Sequence, residues 1–265
     1  MVGEGEGRPE PTDDVRARLA AQRVVEKGER YQAARARRER IIGDFVLTLK
    51  AIWVVATRDP ASRRRLLHNT SDELLESAVS IAVLAEQGIF NAPRRELRFM
   101  LEAAVKYVYV DQRAPAKAAL RGRGRVLGDT RQVPRSTIDP IDELDLSMLT
   151  DPTAFRSTTR GAFGNLSGYV HPSRPALTER LARVGRGEYS GFETGRALES
   201  LNRVTLQCLD LVLVLLFHGI GPSFTGDLFV HWLDEQESWS FHRTRWVAEV
   251  SRHFDYKAER KSRDA

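Results

Sequence analysis

The sequence predicts an all-α protein, an up-and-down helical bundle with additional helices at its N- and C-terminal ends. Three observations carry that expectation. Apolar residues recur at helical spacing through most of the chain, polar starts and glycine ends punctuate those segments, and no stretch alternates apolar and polar residues between hairpin turns.

Residues 1–12 combine glycine, glutamate and proline without an apolar run and read as a disordered tail. Residues 13–40 are rich in Ala, Arg, Glu and Gln, which favours a mostly solvated helix. After Ile41 large apolar residues cover most of the circumference, so the continuation to Thr57 should be buried, with Pro60 stopping it. Thr70 and Glu73 form a capping-box pattern ahead of Leu74, Leu75, Ala78, Val79, Ala82 and Val83, and Gly88 should end that helix.

Pro93 suits the first turn of the next helix, which reaches about Asp111. Residues 97–110 are apolar nearly all round and read as the central helix of the bundle. Residues 114–150 are expected to be a loop or insertion, with 121–125 (Arg-Gly-Arg-Gly-Arg) as loop and a short helix starting near Asp139. Asp151 followed by Pro152 signals another helix start, running towards His171-Pro172. Glycines 185, 187 and 191 mark a loop, 192–218 is the strongest helix with Gly219 closing it, and shorter helices follow at 224–233 and 239–256. A single helical domain over 13–256, with its core at about 41–219 and a charged tail at 257–265, is the organisation expected.

Composition removes several function classes. The sole cysteine, Cys208, excludes an internal disulfide framework and a multi-cysteine zinc site, and its leucine-rich surroundings favour a small buried hydrophobe. The N-terminus lacks a secretory h-region, and the most apolar run, 209–217, is shorter than a bilayer needs and carries Asp210. A soluble cytoplasmic chain with no membrane contact is therefore expected. The net charge of +5 permits contact with nucleic acid without requiring it.

No phosphate-binding loop, G-x-S-x-G elbow or H-E-x-x-H pair is present. His231, His242 and His253 recur every eleven residues, and on one helix the last two stand some 16 Å apart. No metal and no cofactor are expected. Arg98, Glu102 and Lys106 make an i, i+4, i+8 stripe on the central helix, either a salt-bridge ladder or the wall of a cleft. Residues 163–173 are the most distinctive segment: Asn165, Ser167 and Tyr169 supply hydrogen-bonding groups, and His171 stands at a helix end, where it either caps carbonyls or exchanges protons.

The 97–109 segment (Leu-Arg-Phe-Met-Leu-Glu, then Lys106 to Tyr109) and the 165–173 motif (Asn-Leu-Ser-Gly-Tyr-Val-His-Pro-Ser) resemble the HEPN superfamily. The closer likeness is to larger bacterial helical bundles with a Leu-Ser-x-Tyr-Val-His-Pro-type motif. The resemblance covers about 41–219 and implies an RNA-binding or metal-independent ribonuclease function, in toxin or phage-defence systems, commonly as a homodimer. In that chemistry a histidine moves protons while an arginine stabilises the phosphate during attack by the ribose 2′-hydroxyl. His171 matches the histidine. The usual arginine positions hold Gly164, Asn165 and Leu166, so the arginine would be Arg160, about three turns back, or Arg98 from the central helix. Asn165, Ser167, Tyr169 and Glu102 would then contact or position substrate. A non-catalytic helical interaction protein, docking through its N-terminal helix, is the alternative, and a small-molecule enzyme the third reading.

Overall fold

A computed structural model describes residues 13–115, 117–170, 174–185 and 194–254. The expected tails 1–12 and 257–265 lie outside these residues. Among the described residues the chain forms α-helices and short 3-10 turns, with no strand. The elements are α1 (Asp13–Lys27), α2 (Glu29–Thr57), α3 (Leu66–Asn69), α4 (Ser71–Glu86), α5 (Asn91–Arg113), α6 (Leu120–Gly128), α7 (Pro152–Ser167), α8 (Arg174–Gly185), α9 (Gly195–Ile220), α10 (Pro222–His231) and α11 (Arg245–His253).

The two most apolar helices lie at the centre. α5 packs against α4, α7 and α9, and α9 also packs against α2, α10 and α11. Leu97, Met100, Leu101, Ala104, Val105, Val108 and Val110 of α5 are buried, as is the whole run from Cys208 to Ile220 on α9. Burying a large apolar side chain is worth about 1.5–3 kcal/mol, so this seam dominates the stability of the fold. α9 is long and apolar enough to cross a membrane by length and composition, but 78% of its most apolar window is buried inside the protein. The Cys208 thiol sits in this seam, where burial pushes its pKa up to about 12 and leaves it without thiolate character at neutral pH.

Several local signals work as the sequence predicts. Asp151 caps α7, its carboxylate accepting the Ala154 amide at 2.9 Å. Gly88 takes φ 68° just past α4, a left-handed residue that glycine adopts without strain.

Elsewhere tertiary contacts override the local pattern. The N-terminal helix is broken at Gly28, whose extended backbone (φ −65°, ψ 137°) separates α1 from α2. The capping box does not form: the Thr70 hydroxyl donates to the Leu66 carbonyl at 2.8 Å, and the Glu73 carboxylate accepts the Tyr107 hydroxyl. Residues 121–125 are helical within α6, because Arg123 is buried against Asp111 and anchors a segment that lacks an apolar period. α8 occupies a stretch with no predicted helix.

Gly219 does not close α9; the helix runs to Ile220 and Gly221 (φ 91°) terminates it. Gly219 instead lets α9 approach its neighbours, since a Cβ there would lie 2.5 Å from Leu67 Cδ2 and 3.0 Å from Val108 Cγ2. The predicted last helix begins later, at Arg245, where Asp210 caps it from across the core. That carboxylate accepts from the Trp246 amide at 3.2 Å, the Val247 amide at 2.9 Å and the Thr244 hydroxyl at 2.7 Å.

Candidate functional site

The stripe and the motif chosen from the sequence meet at the α5–α7 seam. The Arg98 guanidinium donates from Nε to Ser167 Oγ at 3.1 Å and from Nη1 to Glu102 Oε2 at 3.1 Å. It also lies 4.4 Å from the centre of the Phe163 ring, a cation–π contact. The other Glu102 oxygen accepts Lys106 Nζ at 2.5 Å. Ser167 donates in turn to the Phe163 carbonyl at 2.8 Å, one helical turn back. One carboxylate thus holds two cations, and the last turn of α7 is tied to α5.

The next turn of the chain is held by two further arginines. Arg95 Nε donates to the Tyr169 carbonyl at 2.7 Å, and the Arg94 guanidinium covers the Tyr169 ring at 4.6 Å. The Tyr169 hydroxyl donates to Glu179 Oε2 at 3.2 Å, linking the turn to α8. Burial raises the Tyr169 phenol above its ordinary value, so it remains a hydrogen-bond donor at neutral pH.

Beside this network lies a cleft of about 310 Å³, lined by Arg98, Glu102, Lys106, Tyr107, Leu127 and Arg135 among others. The Ser136 carbonyl, 3.5 Å from Arg98 Nη2, belongs to a residue at φ 54°, a left-handed conformation that costs a non-glycine residue energy. Arg135 is exposed next to it. Three cations and one carboxylate, with Tyr107 and Leu127 on the walls, make a cleft suited to an anion joined to an apolar or aromatic group.

The remaining sequence-predicted residues fall elsewhere. Arg160 forms a two-pronged pair with Asp142, both contacts at 2.6 Å, which holds the Asp142 carboxyl below its ordinary value. With Arg156, which donates to the Ile141 and Leu144 carbonyls, it fastens α7 to the turn at Asp139–Glu143. Arg160 therefore shares no partner with Arg98. Asn165 is exposed and takes no part in the network. His171 lies outside the described residues, as do Pro172 and Ser173.

Sequence reasoning missed Arg94, Arg95, Phe163 and Arg135. The first two carried a usable signal, since Arg94 and Arg95 stand four and three residues before Arg98 and share its helix face. Phe163 and Arg135 become part of the site through tertiary packing alone. Among the described residues no three His, Cys, Asp or Glu side chains cluster as metal ligands. Comparison with protein-family models, curated proteins and solved structures gives no match.

Proposed function

We propose that this protein is a HEPN-like RNA-binding protein whose α5–α7 face contacts the RNA, with His171 as the proton-transfer group where strand cleavage occurs. One observation carries the reading: Arg94 and Arg95 hold Tyr169, and further along α5 Arg98 and Lys106 flank Glu102 beside an open cleft that Arg135 also lines. Cations fixed in place serve a phosphodiester chain, and aromatic rings between them serve its bases. A homodimer, as the sequence resemblance implies, would double that surface.

The test is anisotropy of a labelled single-stranded RNA at rising salt. Affinity is expected to fall steeply with salt, and Lys106→Ala and Arg135→Ala are each expected to lower the log–log slope by about 1. Salt-independent binding, or none by the folded protein, overturns the reading. Incubation of RNA with EDTA present tests the catalytic form, which requires cleavage lost in His171→Ala.

A second reading is favoured by a separate observation. Leu177, Leu181 and Val184 are exposed at i, i+4, i+7 on one side of α8, and Val15, Leu19 and Val25 are exposed on α1. The α8 stripe suits a helical interaction protein. Leu181→Glu would abolish self-association or partner binding under that reading while leaving RNA affinity unchanged.

A further inference from the structure

A second cleft opens between α2, α3 and the start of α4. It has a volume of about 520 Å³, within the range of small-ligand sites. Its wall is Trp53, 46% exposed where Trp239 and Trp246 are buried. The indole stacks on His68 with ring centres 5.5 Å apart and planes 8° from parallel. The stacked His68 ring holds the half-exposed indole in place, and aromatic bases stack on a free indole face for about 1–3 kcal/mol each. Leu49 and Leu75 add apolar lining.

The polar groups at this cleft are mostly acceptors. Asn69 donates through its amide nitrogen to the Arg63 and Arg65 carbonyls, at 2.8 and 2.7 Å, so its remaining group is the acceptor oxygen. Asp72 adds an exposed carboxylate and Lys50 an exposed ammonium, whose charges offset one another. His68 Nδ1 is buried with no hydrogen-bond partner, a cost that native structures usually offset with a water or ligand. Burial holds the His68 ring neutral by lowering its pKa, with Arg63 nearby acting in the same direction.

From this combination we infer that the Trp53–His68 cleft binds a neutral, planar nitrogen heterocycle with an amino edge, of which an aminopurine base is the test case. The ring stacks on Trp53 and its amino edge donates to Asp72 and Asn69. The base arrives either as a free nucleoside or as part of a strand. The inference is independent of the α5–α7 reading, since the two clefts have no lining residue in common.

Calorimetric titration with adenosine, inosine and a short oligoadenylate tests it. Saturable adenosine binding is expected, about tenfold tighter than inosine, which lacks the amino group. Trp53→Leu is expected to abolish it, with far-UV circular dichroism confirming the fold. Asp72→Asn, at an exposed position, is expected to weaken adenosine about tenfold and leave inosine unchanged. Binding of oligoadenylate alone, lost in Trp53→Leu, supports the site with a strand as the source. Overturning results are no binding of any probe, equal affinity for adenosine and inosine, or binding that survives Trp53→Leu. Lys106→Ala and Arg135→Ala should leave adenosine binding unchanged, so failure of either proposal is separable from the other.

Discussion

Two of the ion-pair systems on helix α5 are built for different ends. Near its C-terminus, Asp111 meets Arg123 at 3.0 Å with the two side chains 2% and 3% exposed. Asp111 also accepts the Leu66 and Leu67 amides at 2.8 and 2.9 Å, so one carboxylate pins α3, α5 and α6 together. Burial raises its carboxyl above the ordinary value despite those contacts and Arg123. Two turns earlier, the side chains of Arg98, Glu102 and Lys106 are 12%, 18% and 12% exposed and border a cleft. The first system is sealed and spends its charge on the fold. The second retains contact with solvent, so its cations remain within reach of an anion.

The largest expected effect is on the sealed pair. Asp111→Ala or Arg123→Ala leaves an uncompensated buried charge and should cost about 3–5 kcal/mol in urea unfolding. The Asp111→Ala, Arg123→Ala double variant should cost clearly less than the sum of the two single losses, as coupled groups do. Additive losses would break the comparison by showing that the pair does not act as a unit. Gly219→Ala, where α9 approaches Leu67 and Val108, should cost about 1–3 kcal/mol, because the added Cβ forces the side chains apart.

His218 supplies a pH-dependent check on the same core. Its Nδ1 lies 2.8 Å from the Val214 carbonyl, and its Nε2 accepts the Met148 amide at 3.2 Å, so the buried ring is neutral. Burial lowers its pKa below the ordinary 6.5, although the Val214 carbonyl pulls the other way. The unfolded chain therefore takes up the proton first. Stability is full above pH 6.5 and is lost as pH falls from there towards the folded value, by at most about 1.4 kcal/mol per pH unit. That contribution should vanish in His218→Gln, measured as the difference in unfolding midpoint between two pH values.

At the open system the stability effects should be smaller and the binding effects clear. Glu102→Gln should cost about 1 kcal/mol, yet raise RNA affinity by removing the negative charge between Arg98 and Lys106. Unchanged affinity there would mark the stripe as a structural ladder like the sealed pair. Smallest of all, Arg160→Ala removes an exposed pair with Asp142 and should change stability by less than about 1 kcal/mol. A large loss would assign α7 docking to that clamp rather than to Arg98 and Ser167.

Part of the candidate site was legible because its information is local. The 98–102–106 spacing guarantees a shared helix face, and both ion pairs form along it. Ser167 and Tyr169 were also identifiable as polar groups at a helix end. Their partners were not, because Arg98 reaches Ser167 across 69 residues and Arg95 reaches Tyr169 across 74. Arg160 illustrates the same limit from the other side: the family resemblance offered it as the phosphate contact, and a carboxylate 18 residues away engages it.

By itself the sequence determined the all-α class, the central place of α5, the strength of the α9 helix, the Asp151 cap and the buried state of Cys208. Each rests on interactions within a few residues, where helical geometry decides which groups can meet. Only the tertiary structure decided the break at Gly28, the helix through residues 121–125, the diversion of Glu73 to Tyr107 and the close approach at Gly219. Those outcomes turn on which helix packs beside which, and the satisfaction of a buried polar group by a distant partner outweighs the fraction of a kcal/mol that local propensity supplies.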